Sequence, residues 1–113
     1  MKKLFIVLTL LLLTGCGKEK TMITYEEVKE LDNYVIVDVR EYAEYKKGHI
    51  LDAILLPVGT IDENIDLDKD KTIIVYCRSG NRSSEAASKL KELGYTVYDL
   101  GSIDNWKGNI VEE

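Results

Sequence analysis

From residue 72 to residue 93 the chain spells a strand, a tight loop and a helix with nothing between them. That order commits it to an α/β architecture. Thr72-Ile73-Ile74-Val75-Tyr76 is a continuous β-branched and aromatic run, the pattern of a strand buried on both faces. The run stops at Cys77. Arg78, Ser79, Gly80, Asn81, Arg82 and Ser83 follow as a short loop with one glycine and two arginines. Residues 83–93 then place Ala86, Ala87, Leu90 and Leu93 along one helical face, which Gly94 closes. A strand that enters a helix through so short a loop turns the loop amides and the helix N-terminus toward one point, the cysteine sulfur. Such a cradle favours the thiolate, so the thiol is expected to ionise below the free-cysteine value of about 8.5.

The remainder of the chain repeats the alternation. Thr24 with Glu27 is a capping-box signature that opens a helix toward Leu31, with Val28 and Leu31 on one face. Residues 34–39 are a second valine- and isoleucine-rich strand. Residues 41–47 form a charged helical turn or two, carry Tyr42 and Tyr45, and stop at Gly48. A short strand over 53–56 is closed by Pro57, the chain's one proline. A brief helix is predicted over 60–65, an acidic surface turn over 66–70, a last strand over 95–100 and a closing helical turn over 102–106. Strands alternating with helices imply a mainly parallel sheet with helices on both faces. Ligands of such sheets bind outside the carboxyl ends of the strands, and Cys77 stands at one.

At 113 residues there is room for one domain. The formal charge is −5, and beyond residue 15 there are 13 bases against 20 acids. This balance offers no basic face for nucleic acid and no general attraction to anionic lipid. Membrane attachment, if present, has to come from something other than charge, and the N-terminus is written for it. Lys2 and Lys3 precede an apolar stretch, 4–13, that is too short to span a bilayer comfortably, which is a secretory signal pattern. Leu13-Thr14-Gly15-Cys16 resembles the bacterial lipobox, and the resemblance implies cleavage before Cys16 and acylation of that cysteine. Two chains on one residue suffice for stable anchoring. The expected organisation is a lipoprotein signal peptide over 1–15, a lipidated cysteine with a short polar tether over 16–23, and an exported, extracytoplasmic domain over 24–113. With Cys16 acylated, Cys77 is the one remaining thiol and no intrachain disulfide can form. One histidine supplies no Cys/His metal cluster. A monomer is the default expectation.

The Cys77–Ser83 loop closely resembles the active loop of single-domain rhodaneses. Two further segments agree. Asp38-Val39-Arg40-Glu41, then Glu44-Tyr45, Gly48-His49-Ile50, Ala53 and Pro57, is similar to the family's N-terminal signature. Gly94-Tyr95-Thr96-Val97-Tyr98-Asp99-Leu100-Gly101 with Trp106 is similar to its C-terminal one. Three signatures in order, from about residue 24 to the end, make a specific match. Two positions depart from it: Asp52 and Ser102 stand where the family commonly has glycine. The resemblance implies a rhodanese-like fold, a mainly parallel five-stranded sheet with helices on both faces.

It also implies the chemistry of a sulfurtransferase that needs no cofactor. The Cys77 thiolate takes the outer sulfur of a small donor such as thiosulfate and passes it from a persulfide to a thiol or cyanide acceptor. Loop amides from Arg78 to Ser83 hold the terminal sulfur, and Gly80 lets the backbone curl. Arg78 stands at the mouth to pair with an anionic donor. The resemblance implies that Arg82 braces the loop against a carboxylate, while Ser79 and Asn81 shape it. Cysteine phosphatases use five residues between cysteine and arginine. Cys77 and Arg82 have four between them, a cradle for one sulfur atom that crowds a tetrahedral oxyanion.

Plainer roles suit the neighbours. His49 after Gly48 fixes backbone, Asp38 and Arg40 pair as ions at the strand ends, and Tyr42, Tyr45 and Trp106 pack. An inert buried cysteine, a non-turnover sulfur carrier, a binding module at the cell envelope and an envelope redox protein are the alternatives. The absence of a resolving cysteine weighs against the last.

Overall fold

A computed structural model describes residues 20–113. Cys16 and the signal segment 1–15 lie outside these residues. The first helix, α1 (Tyr25–Val28), is opened by the capping box read from the sequence. The Glu27 amide donates to Thr24 Oγ1 at 3.1 Å and the Thr24 amide to Glu27 Oε1 at 3.0 Å. Then come β1 (Tyr34–Asp38), α2 (Tyr42–Lys47), β2 (His49–Ile50), β3 (Ile54–Leu55) and a 3₁₀ turn at Val58–Thr60. After these follow β4 (Thr72–Cys77), α3 (Asn81–Glu92), β5 (Thr96–Ser102), a second 3₁₀ turn at Ile103–Asn105, and β6 (Ile110–Val111).

The four strands read from the residues form one parallel sheet in the order β3-β1-β4-β5. The fifth place implied by the family is held by a single parallel bridge, Met22 to Asp99 at the outer edge of β5. Residues 21–23, read as the end of a tether, are therefore part of the domain. The Asp99 amide donates to the Thr21 carbonyl at 2.8 Å, and the Ile23 amide donates to the Asp99 carbonyl at 3.0 Å. A small antiparallel pair, β2 with β6, lies apart from the sheet.

Alternation along the strands sends side chains into two cores. Val37, Ile73, Val75 and Val97 meet Ala86, Ala87 and Leu90 of α3 on one face. Ile36, Ile74, Tyr76 and Leu100 meet Val28 and Ile23 on the other. Cys77 shares the α3 face, so its sulfur points toward the N-terminus of that helix.

Two local readings differ from the structure. The helix after Cys77 begins at Asn81, two residues before the expected start, because Gly80 at φ 103° turns the chain into it at once. In place of a helix over 60–65 there is the 3₁₀ turn at Val58–Thr60, held by Thr60 Oγ1 on the Pro57 carbonyl at 2.7 Å. Asp62 Oδ1 then accepts from the Asn64 amide at 2.8 Å, a local bond that competes with helix continuation.

Candidate active site

The sheet delivers Cys77 at the carboxyl end of β4, fully buried. Its sulfur accepts the Gly80 amide at 3.0 Å and the Ser83 amide at 3.3 Å. The Ser83 hydroxyl has one proton and two acceptors beside it, the Gly80 carbonyl at 3.2 Å and the sulfur itself. Burial by itself pushes the thiol up. The Ser83 hydroxyl and the amides of Ser83, Gly80 and Ser79 outweigh it and hold Cys77 below the ordinary cysteine value. The twelve-residue α3 adds its N-terminal dipole on the same side. Convergent amides around one sulfur make a nest for an anion whose charge lies on sulfur.

What holds the loop in this shape lies outside it. Gly80 packs its α-carbon side against Gly101 of β5, whose Cα is 4.0 Å from where a Gly80 side chain would begin. A bulge brings Gly101 there: Val75 pairs with Asp99 and Tyr76 with Gly101, leaving Leu100 as the extra residue. Arg82 reaches from the first turn of α3 to α2, where both its terminal nitrogens meet the Glu44 carboxylate at 2.8 and 3.0 Å. That bidentate pair draws the Glu44 carboxyl down to about 2. This is the brace expected for Arg82.

Behind the strand lies a second network. Asp38 is fully buried and accepts from the Arg40 amide (2.9 Å), Arg40 Nε (2.9 Å) and Arg40 Nη2 (2.7 Å), and from the Tyr76 hydroxyl (2.7 Å). Arg40 Nη2 continues to the Gly48 carbonyl at 2.6 Å, and the Ile50 amide donates to the Tyr76 hydroxyl at 3.1 Å. The ends of β1 and β4 and the 48–50 turn are thus tied to one carboxylate. His49 takes the structural role expected of it: Nδ1–H donates to the Tyr45 carbonyl at 2.8 Å and the imidazole stacks on the Tyr45 ring at 3.7 Å.

Cys77, Gly80 and Ser83 are brought together at the sulfur, and Arg82 supports them from the side. Arg78, Ser79 and Asn81 are exposed on the rim. Arg78 has no carboxylate within ion-pair distance among the described residues, whereas Arg40 and Arg82 are both paired. Glu44 is the supporting residue whose role the sequence left unnamed. Its sequence signal was an acid in the charged 41–47 segment, shared with Glu41, and only the fold shows which carboxylate Arg82 finds.

The fold is thus a parallel α/β sheet that presents a buried thiol in a nest of loop amides. The chain belongs to the rhodanese-like domain family, whose model matches residues 20–109. It is 33% identical over 87 residues to a sulfurtransferase of Allochromatium vinosum, covering 76% of this chain and 77% of that protein. It is 38% identical over 88 residues to the thiosulfate sulfurtransferase GlpE of Coxiella burnetii, covering 75% and 81%. Among solved structures it is similar to the BH2092 protein of Bacillus halodurans, with a TM-score of 0.74, 30% identity and coverage of 84% and 79%. It is also similar to a rhodanese with anions from E. coli, with a TM-score of 0.66, 31% identity and coverage of 71% and 99%.

Proposed function

We propose that the domain is a sulfurtransferase whose Cys77 carries sulfane sulfur as a persulfide. The observation that carries this reading is the convergence of the Gly80 and Ser83 amides on one buried sulfur. With thiosulfate as donor, the Cys77 thiolate attacks the outer sulfur. A bond forms between the two sulfurs, the bond to the sulfonate breaks, and sulfite leaves with the electron pair. The terminal persulfide sulfur keeps the negative charge and sits in the loop nest. A thiolate or cyanide acceptor then attacks that sulfur, and the Cys77 thiolate is regenerated with the electron pair of the broken bond. Arg78, exposed and without an ion-pair partner among the described residues, meets the anionic end of donor or acceptor at the mouth. Arg82, committed to Glu44, keeps the nest in shape.

The protein works at the cell envelope, held to the membrane by lipid on Cys16. Both halves of the reading have direct tests. Purified protein and its Cys77→Ser variant are assayed for thiocyanate formation from thiosulfate and cyanide, with the intact mass followed for one added sulfur. Turnover and adduct in the wild type, both lost in the variant, are expected. An adduct without turnover would make the domain a carrier that awaits a dedicated acceptor, and neither signal would overturn the persulfide chemistry. Cys16 acylation is read from the mass of the N-terminal peptide.

A further inference from the structure

The chain enters the domain at one end of the sheet and the Cys77 loop stands at the other. Met22 pairs with Asp99 in parallel, so the chain arriving from residue 20 runs beside β5 in the same direction as β5. Lys20 is consequently level with the start of β5, two residues before the bridge, and it lies among Tyr95, Thr96, Val97 and Tyr98. Lys91, near the C-terminal end of α3, fixes the same level by donating to Thr21 Oγ1 at 3.1 Å. Cys77 pairs with Ser102, at the other end of β5.

From the level of Val97 to that of Ser102 is five residues of strand, about 16 Å at roughly 3.3 Å per residue. From Cys16 to Lys20 is four residues, which reach at most about 14 Å when fully extended. To lay the loop face on a bilayer, the tether has to travel back along the whole of β5 and still extend past Ser102. It is too short.

The geometry points to a fixed presentation: the end of the domain at the start of β4 and β5 faces the membrane, and the Cys77 mouth faces away from it. This rests on the Cys16 anchor proposed above. Its consequence is a choice of partner class. Donor and acceptor reach the loop from the aqueous phase, as small anions or as the thiol of a soluble or peripherally bound protein, and a sulfur acceptor embedded in lipid is out of reach.

The test uses the full-length lipidated protein in anionic vesicles. Cysteine labels replace exposed Asp70, just before β4, or exposed Asp104, just after β5, in a Cys77→Ser background. Energy transfer to an acceptor dye on the headgroups is read for each. Transfer from position 70 is expected to exceed that from position 104 several-fold, because the two sites are separated by about 20 Å along the strands. Equal transfer, or more from 104, overturns the orientation. Ten flexible residues inserted after Gly17 are expected to erase the difference, and persistence of the difference would overturn the tether argument. Failure of the anchor itself looks different: Cys16 then takes a second dye, its peptide lacks acyl mass, and the protein does not float with vesicles.

Discussion

Gly80→Ala asks whether the loop amides hold the Cys77 thiol below its ordinary value against the opposing effect of burial. Gly80 sits at φ 103°, ψ −15°, a left-handed conformation that costs a residue with a β-carbon roughly 1–2 kcal/mol. The substituent itself has space, since its nearest neighbour is the Gly101 Cα at 4.0 Å. The variant therefore folds and relieves strain by rotating the peptide whose N–H lies 3.0 Å from the sulfur. A hydrogen bond to a charged acceptor is worth about 1.5–3 kcal/mol. Losing it while burial continues to oppose the charge lowers the thiolate fraction at fixed acidic pH by about tenfold or more. The assay is the rate of iodoacetamide alkylation against pH, with thiolate absorbance as a second readout. Gly94→Ala is the control. It carries the same kind of backbone cost, at φ 98°, but lies at the far end of α3, against Lys69. The expected result is that both variants lose comparable stability while only Gly80→Ala moves the thiol upward. A thiol unchanged in Gly80→Ala, or shifted equally in Gly94→Ala, would refute the reasoning.

Three further outcomes are expected. Glu44→Gln leaves Arg82 without its carboxylate and should cost about 1 kcal/mol at neutral pH, the pair being part exposed and screened. The Glu44 carboxyl is depressed from 4.5 to about 2 in the fold, so its contribution is complete above 4.5 and is lost as the pH falls through 2. Urea denaturation of wild type and variant should accordingly converge over that window, and a pH-independent gap would exclude the ion pair as the cause. Asp38→Ala strands the buried Arg40 guanidinium and the Tyr76 hydroxyl, and should destabilise the domain by about 3–5 kcal/mol in the same assay. Asp52→Gly should raise the melting temperature by about 2–6 °C, through about 0.5–1 kcal/mol at one turn residue. Asp52 is the third residue of a turn closed by the Ala53 amide on the Ile50 carbonyl at 2.9 Å, and it holds φ 70°, where glycine is unstrained. An unchanged or lower melting temperature would count against that strain.

The central strands β1 and β4 were legible because each is a run rich in valine and isoleucine, for which composition alone carries the signal, and the flanking β3 and β5 followed from the turn residues that bound them. Cys77 and its loop were legible for a similar reason: glycine and arginine spacing constrains backbone and charge locally. What escaped was settled by partners distant in sequence. β2 and β6 are two residues each, and His49 pairs with Val111 across more than half the domain, so no local pattern marks either. Glu44 is one of two acids in the 41–47 segment, and only its position opposite Arg82 distinguishes it from Glu41. The 58–60 turn escaped because Pro57 and Asp62 each offer the backbone a local bond that helical periodicity does not register. Ser102, a departure from the family's glycine, is a capping residue. Its hydroxyl accepts the Asp104 amide at 3.0 Å and starts the following 3₁₀ turn.

Tyr76 and Cys77 are adjacent on one strand and point to opposite faces. The tyrosine is bolted through Asp38 to Arg40 and the 48–50 turn. In the chemistry proposed above, a sulfur atom arriving at Cys77 would meet a strand held from behind by these bonds. On the persulfide reading proposed above, loading and unloading are expected to strain the sulfur–sulfur bond and the loop amides more than the sheet. For a domain proposed to hand sulfur to an acceptor, rigidity behind the nucleophile would make each delivery start from the same geometry.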